Sequence, residues 1–182
     1  MKVISGTLKG RTIKGLSLQG TRPTMDRVKE SLFAMIQDYI PNSTCLDLFA
    51  GSGNLGIEAI SNGAGYVYFS DKNKQAIHTI KDNIKTLNIE EQSIVLTGDY
   101  KQVLKQFLND EVTFDVIFLD PPYDTDYIEH SVKTINEYKL LSPKGIIICE
   151  SDQLSRFKYP EHFEIIKSKR YGDKHIEIIQ YL

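Results

Sequence analysis

Short apolar runs alternate with segments of helical period along most of this 182-residue chain, and this alternation limits the possible fold more than any other feature. The runs are rich in β-branched and aromatic residues; they are Cys45–Phe49, Tyr66–Phe69, Ser93–Leu96, Phe114–Leu119 and Gly145–Cys149. Between the second and third runs, apolar residues recur at steps of three and four, as on one face of a helix (Ile77, Ile80, Ile84, Leu87). Strand, helix and strand in repetition predict a mostly parallel sheet with right-handed crossovers and helices on both faces.

The two ends of the chain depart from this alternation. Near the C-terminus, the apolar stretches Phe163–Ile166 and Ile176–Ile179 flank Tyr171-Gly172-Asp173 with no helix between them, which predicts an antiparallel hairpin at the sheet edge. Near the N-terminus, residues 2–16 mix apolar and basic residues around glycines, as a small β-hairpin does, and Thr24 is a candidate N-cap for a helix. We therefore predict a doubly wound α/β fold with a seven-stranded, Rossmann-like sheet over residues 41–182 and a hairpin-and-helix arm over residues 1–40.

The composition excludes several classes of protein. A hydrophobic content of 41% suits one soluble domain, and no apolar run approaches the roughly 18 residues that a membrane helix needs. The N-terminal residues lack the apolar core of a signal peptide, so we expect a cytoplasmic protein. Cys45 and Cys149 lie in apolar runs without a CxxC pair, and the four histidines lack ligand spacing, so we predict no metal site.

Positive charge is concentrated at the start of the chain. Residues 1–30 contain seven basic and two acidic residues, a net charge of +5, which leaves −7 on the remainder of a chain whose total is −2. Basic arms on acidic bodies often contact nucleic acid, because Lys and Arg displace counterions from its phosphates. We expect Lys9, Arg11, Arg22 and Arg27 to contact RNA phosphates; a merely solvated arm is the alternative.

A glycine-rich turn follows the first apolar run and matches G-x-G-x-x-G at Gly51, Gly53 and Gly56. Glycines there allow a sharp turn and a close approach of the backbone to a bound nucleotide. Asp71, 20 residues after Gly51, is placed to bind ribose hydroxyls, and Asp99 is placed to accept a hydrogen bond from an adenine amino group.

This pattern suits both NAD and S-adenosylmethionine. Asp47, four positions before Gly51, favours S-adenosylmethionine, because an acid near the turn attracts an ammonium and a sulfonium and repels a pyrophosphate.

The polar run Asp120-Pro121-Pro122-Tyr123 directly follows the fourth apolar run, at the edge where open α/β sheets bind ligands. Two prolines stiffen the backbone and donate no amide hydrogen, so their carbonyls are available as acceptors. Asp120 is a further acceptor, and Tyr123 offers a flat face for stacking. An exocyclic amino group on a planar base fits this set, because Asp120 and the Pro121 carbonyl could hold its hydrogens and favour a nucleophilic nitrogen. A rigid strand-to-loop corner is the alternative.

Three segments together resemble the RsmD-type 16S ribosomal RNA guanine-N2 methyltransferases. They are Arg22-Pro23-Thr24 with Asp26–Glu30, then Leu46–Gly53, then Asp120–Tyr123. Many amino-methylating enzymes share the last two segments, so the Arg-Pro-Thr segment is the one that distinguishes this family from the others. The resemblance covers nearly the whole chain. Asn54 stands where relatives are expected to carry a small residue, a departure that can alter contacts to the cofactor.

The resemblance implies a class I methyltransferase that uses S-adenosylmethionine to methylate N2 of one guanine in 16S rRNA. The expected partner is the 16S rRNA or the small ribosomal subunit, and we expect a monomer. Catalytic roles are expected for Asp120, Pro121 and Tyr123. Cofactor contacts are expected from Asp47, Phe49, Gly51, Gly53, Asp71 and Asp99. Substrate contacts are expected from Lys9, Arg11, Arg22, Thr24, Arg27 and Pro122.

Other functions remain open at this point. The residues alone do not separate guanine N2 from adenine N6, so a DNA or RNA adenine-N6 methyltransferase is the nearest alternative. Residues 1–40 are few for reading a duplex sequence, whereas folded RNA offers its own shape and exposed bases. A protein-glutamine methyltransferase, a non-catalytic RNA-binding assembly factor and a nicotinamide-binding protein are the more distant alternatives.

Overall fold

The described residues form a seven-stranded sheet with the order β3-β2-β1-β4-β5-β7-β6. The structure is a computed structural model that describes residues 1–16, 23–122, 126–152 and 157–182, with the backbone alone for residues 23 and 24. The strands are β1 Thr44–Asp47, β2 Tyr66–Asp71, β3 Ser93–Thr97, β4 Phe114–Leu119, β5 Leu141–Ser151, β6 Phe163–Tyr171 and β7 Lys174–Tyr181. The first five strands pair in parallel, as the alternating pattern predicted.

Helices cover both faces of this sheet, which confirms the predicted doubly wound architecture. They are α1 Pro23–Met35, α2 Asn54–Ser61, α3 Lys74–Leu87, α4 Tyr100–Asn109 and α5 Tyr127–Glu137. Apolar residues of α1, α2 and α3 belong to one core cluster, and those of α4 and α5 belong to a second. Among the described residues, every helix is too short or too polar to cross a membrane.

The C-terminal hairpin is confirmed as predicted. Strand β7 pairs antiparallel with both β5 and β6, so β6 is the edge strand of the sheet. Gly172 lies in the two-residue turn with φ at 59°, in the left-handed region that glycine adopts without strain. The hairpin is longer than its apolar stretches indicated, because β6 continues through the polar residues Lys167–Arg170.

The N-terminal residues fold back on themselves as a hairpin with little regular strand. The amide of Val3 donates to the Arg11 carbonyl at 3.0 Å, and Lys2 and Thr12 form an isolated antiparallel bridge. Val3 and Ile13 are buried in the same core cluster as α1 and the sheet. The arm is therefore anchored to the body of the protein by a shared core.

Candidate active site

Four acidic side chains gather at the carboxyl edge of the parallel strands. Asp47 ends β1, Asp71 ends β2, Asp120 follows β4 and Glu150 is the penultimate residue of β5. Leu119 of β4 pairs with Cys149 of β5, so Asp120 and Glu150 are the next residues of neighbouring strands. Because parallel strands end at the same edge, the predicted carboxylates are brought together, with Glu150 in addition.

Asp71 joins the end of its strand to the glycine turn. One oxygen of its carboxylate accepts the Gly51 amide at 2.9 Å, and the other accepts the Asn73 amide at 2.8 Å. The Asp47 carboxylate similarly accepts the Gly56 amide at 3.0 Å. The two predicted cofactor acids therefore also fix the shape of the turn, a role that the motif spacing did not reveal.

The glycines of the turn serve different purposes. Gly53 precedes α2 with φ at 83°, a backbone conformation that residues other than glycine rarely adopt. A Cβ atom on Gly56 would lie 2.3 Å from the ring of Phe69, so only glycine allows α2 to pack this closely on β2. Gly53 is buried, and the structure supports for it a backbone role; direct contact with a cofactor stays a prediction.

A cavity of about 300 Å³, called here the aromatic cavity, opens beside this turn. Its lining includes seven of the predicted site residues: Phe49, Gly51, Asp71, Asp99, Asp120, Pro121 and Pro122. Asp99 caps α4, since its carboxylate accepts the Lys101 amide at 3.0 Å. Residues that are distant in the chain thus surround one space that combines carboxylates with aromatic surface.

Two aromatic residues of this cavity were not among the site residues predicted from the sequence. The Tyr127 ring stacks on Phe49, with centroids 5.9 Å apart and an interplanar angle of 9°. Tyr100 packs against both rings, 5.5 Å from Phe49 and 5.0 Å from Tyr127. Burial raises the pKa of Tyr100 to about 12, which keeps its hydroxyl neutral. Each tyrosine is the first residue of a helix that follows a parallel strand, and this shared position could have identified both.

A second cavity of about 250 Å³, called the charged cavity, adjoins the first. Asp120, Phe49 and Gly51 line both cavities, so Asp120 lies where they meet. The charged side chains around the second cavity are Lys29, Asp47, Asp120, Glu150 and Lys174. Glu150 and Lys174 form an ion pair there, which sequence reasoning missed, although Glu150 follows an apolar run in the same way as Asp120 does.

Burial perturbs the acids of this cavity. It raises the pKa of Asp47 to about 7, against the opposing hydrogen bond from the Gly56 amide. It also raises the pKa of Asp120, with a further increase from the neighbouring Glu150 carboxylate and an opposing effect of Lys174. Acids perturbed by burial in a cleft are typical of functional sites.

Lys29 is not available to RNA, although it contributed to the positive charge counted for the arm. It is 4% exposed, and its Nζ atom pairs with the buried Glu58 at 2.9 Å. The same ammonium donates to the Lys2 carbonyl at 2.8 Å and to Asn54 Oδ1 at 2.7 Å. Asn54, the departure noted in the sequence, therefore ties α2 to α1 through this buried cation.

The structure separates the predicted substrate residues. Arg27 on α1 and Lys9 are exposed, whereas the Arg11 guanidinium donates to the Thr86 carbonyl in the last turn of α3, the opposite end of that helix from Asp71. The predictions for Tyr123 and Arg22 fall outside the described residues, as does the side chain of Thr24. Pro122 is exposed at the rim of the aromatic cavity.

Known proteins resemble this chain over nearly its whole length. The family described as conserved hypothetical protein 95 matches residues 1–180. A Bacillus subtilis protein provisionally named as an rRNA methyltransferase is 44% identical over 84% of the chain and 83% of its own length. Ribosomal RNA small subunit methyltransferase D of Haemophilus influenzae is 38% identical over 94% of the chain and 89% of its own length. A solved Escherichia coli structure, provisionally described as a methyltransferase, superposes with a TM-score of 0.88 at 26% identity, covering 100% of this chain and 97% of its own.

Proposed function

The chain belongs to the family described as conserved hypothetical protein 95, and we propose that it methylates the N2 amino group of one guanine in 16S rRNA. Its relatives from Haemophilus influenzae and Buchnera aphidicola are named small-subunit rRNA methyltransferases, and the chain is accordingly an S-adenosylmethionine-dependent rRNA methyltransferase. The choice of 16S rRNA, the base and the nitrogen atom are the proposed part.

One observation carries the proposal: Asp120 lines both cavities. A cofactor in the aromatic cavity and a base in the charged cavity would therefore meet at this carboxylate and at the adjoining Pro121 carbonyl. Both groups accept hydrogen bonds, and an exocyclic amino group has two hydrogens to donate. This arrangement fits an amino nitrogen better than a carbon or hydroxyl nucleophile.

The aromatic cavity suits the nucleoside half of S-adenosylmethionine. The rings of Phe49, Tyr100 and Tyr127 offer apolar surface to a purine, and Asp71 and Asp99 offer acceptors to ribose hydroxyls and an adenine amino group. Asp71 retains acceptor capacity, because each carboxylate oxygen has two lone-pair sites and one amide is bound to each. When bound, S-adenosylmethionine supplies an electrophilic methyl group on a sulfonium.

The base would be held where the two cavities meet, and Asp47, which lines the charged cavity, would face the methionine end of the cofactor there. Asp120 and the Pro121 carbonyl accept the two amino hydrogens, which points the nitrogen lone pair away from them and toward the aromatic cavity. Tyr123 is proposed to stack on the base, a contact worth about 1–3 kcal/mol, similar to the few kcal/mol that unstacking costs. Most of the rate acceleration then comes from alignment and exclusion of water, with no covalent intermediate on the protein.

We propose that residues 1–40 serve RNA binding and residues 41–182 serve the cofactor and the reaction. The division is one of function and not of structure, because Val3 and Ile13 of the arm share a hydrophobic core with the sheet. The proposed partner is the small ribosomal subunit or its 16S rRNA. The protein is proposed to act on this partner as a monomer in the cytoplasm.

The experiment uses small ribosomal subunits purified from cells that lack this protein. Purified enzyme and labelled S-adenosylmethionine are added, and the rRNA is digested to nucleosides that are separated and identified. N2-methylguanosine at one position of 16S rRNA is the expected product. Label in N6-methyladenosine would overturn the choice of base, and the absence of label would overturn the activity.

A further inference from the structure

The edge strand β6 carries a row of lysines that lie along helix α1. Lys169 Nζ donates to the Ser31 hydroxyl at 3.2 Å, and Lys167 Nζ donates to the Met35 carbonyl at 2.7 Å. Both lysines are exposed. We call Arg27, Lys169 and Lys167 the basic strip.

The members of the basic strip share one line on the surface. Arg27, Ser31 and Met35 are spaced by four residues on α1 and so lie on one face of the helix. Lys167 and Lys169 are two residues apart in β6, so their side chains leave the same face of the sheet about 6.6 Å apart. Lys169 lies at Ser31, one helical turn from Arg27, and Lys167 lies at Met35, one turn further, so the three cations follow one another along the helix.

The charge of the basic strip is not neutralised within the protein. Lys167 and Lys169 bind a carbonyl and a hydroxyl, and among the described residues no carboxylate lies within ion-pair distance of either lysine. Two lysines of the N-terminal arm differ in this respect, because Lys14 binds Asp82 and Lys29 binds Glu58. An uncompensated row of cations is the electrostatic footprint of a phosphate-binding surface.

The basic strip begins at the proposed base-binding cavity. Met25 and Leu32 of α1 line the charged cavity, and so does Lys174, which pairs across the hairpin with Tyr171. The Tyr171 hydroxyl contacts the Ser31 hydroxyl, where Lys169 also binds. A continuous surface thus leads from the cavity, through Tyr171 and Lys169, to Lys167.

We propose that the RNA strand flanking the target base lies along α1 and β6, with its phosphates on Arg27, Lys169 and Lys167. This inference rests on the proposed function, and it extends the RNA-binding surface to a C-terminal strand for which the sequence predicted only a place in the sheet. It also gives the base a route into the charged cavity from the side of the hairpin.

The chain provides a matched control in Arg170. It lies next to Lys169 in the same strand and carries the same charge, but alternation places its side chain on the opposite face of the sheet, where its Nε donates to the Gly172 carbonyl. Its loss removes an equal charge from the same strand without touching the basic strip.

The test compares Lys167→Ala/Lys169→Ala with Arg170→Ala and with Lys167→Arg/Lys169→Arg. Binding of a fluorescent 12-nucleotide single-stranded RNA is measured over a range of salt concentrations, and methylation of undermethylated small subunits is measured in parallel. For the double alanine variant we expect at least tenfold weaker RNA binding, a salt slope shallower by about 1.4, and a raised KM for subunits with kcat retained. The arginine pair should bind as the wild type does, and Arg170→Ala should stay within twofold of it.

An unchanged salt slope in the double alanine variant, or an equal loss in Arg170→Ala, would overturn the proposal. Slower subunit methylation with unchanged RNA binding would overturn it too, because that result would indicate that the strip contacts a ribosomal protein and not RNA. The RNA-binding measurement does not depend on methyl transfer. Wild-type enzyme that binds RNA through the strip but methylates no subunit would refute the proposed function and leave the strip standing.

Discussion

Asp120 and Glu150 follow Leu119 and Cys149, which are paired in neighbouring parallel strands, so the two carboxylates lie side by side at the edge of the sheet. The pKa of Asp120 is raised first by burial and then by this neighbour. Glu150 is in turn paired with Lys174. The proposed amino-binding acid is therefore coupled to an ion pair that faces the same cavity.

Removal of the Asp120 side chain should abolish turnover and spare cofactor binding. Asp120→Ala deletes the proposed acceptor at the reacting nitrogen, and we expect kcat to fall by about 10²–10³-fold or more. Affinity for S-adenosylmethionine, measured by calorimetry, should change little, because Asp71 and Asp99 remain. Asp120→Asn retains a carbonyl oxygen and should keep more activity than the alanine variant. Near-normal methylation by Asp120→Ala would refute the amino-binding role.

Replacement of Glu150 should shift the pH profile of the reaction. If the ionised form of Asp120 is the active one, activity rises with pH as this carboxyl group loses its proton. Glu150→Gln removes the like charge and leaves Lys174 to stabilise the Asp120 carboxylate, so the pKa falls and the rising limb of kcat against pH moves to lower pH. The profiles of the two enzymes are compared between pH 5 and pH 9; superimposable limbs would contradict the coupling.

Asp47 should make the folded state less stable as the pH rises. Its pKa is raised from the ordinary 3.8 to about 7, so its contribution to stability is complete below pH 3.8 and is lost as the pH rises through 7. Asp47→Asn does not titrate, and its oxygen can still accept the Gly56 amide. Relative to wild type, the variant should gain up to about 4 kcal/mol of unfolding free energy between pH 4 and pH 8. Urea unfolding without cofactor measures this difference, and a constant difference across pH would contradict it.

The buried cation on α1 should be important for folding. Lys29→Met removes the cation paired with the buried Glu58 carboxylate and leaves it only the hydrogen bonds from Ile4 and Ser5. The expected loss is about 3–5 kcal/mol of unfolding free energy. Lys14→Ala is the matched control, because its ion pair with Asp82 is exposed and should contribute too little to detect. Chemical denaturation of both variants tests the contrast, and similar losses would show that burial is not the deciding factor.

The tyrosine that stacks on Phe49 should contribute to cofactor affinity. Tyr127→Ala removes one wall of the aromatic cavity, and a contact worth about 1–3 kcal/mol predicts roughly tenfold weaker binding of S-adenosylmethionine. Tyr127→Phe keeps the ring and should bind as the wild type does. Titration calorimetry of the three proteins decides the question, and equal affinities would remove Tyr127 from the cofactor site.

The fold could be predicted because its determinants are local in the chain. Apolar runs and the three- and four-residue spacing of Ile77, Ile80 and Ile84 specify strands and helices directly. The length of β6 could not be predicted in this way. Its polar residues Lys167–Arg170 lack strand periodicity and are held in the sheet by pairing with β7.

The site was predicted only where strand ends carry a motif. Asp47, Asp71, Asp99 and Asp120 follow or end apolar runs, and the parallel sheet brings them to one edge. The contact of Lys29 with Glu58 joins residues 29 positions apart, so only tertiary structure reveals that one arm cation is internal. The position of Tyr100 and Tyr127 after a strand is visible in the sequence, but their contact with Phe49 is shown only once their helices are placed around the same cavity.

The two hydrogen bonds that the Asp71 carboxylate accepts affect how a ligand binds. Its carboxylate is fixed to the Gly51 and Asn73 amides by folding alone, so neither the turn nor the acid has to be ordered during association. Such preorganisation lowers the conformational entropy that is lost upon complex formation. Binding at this end of the sheet should therefore resemble docking into a rigid receptor more than induced fit.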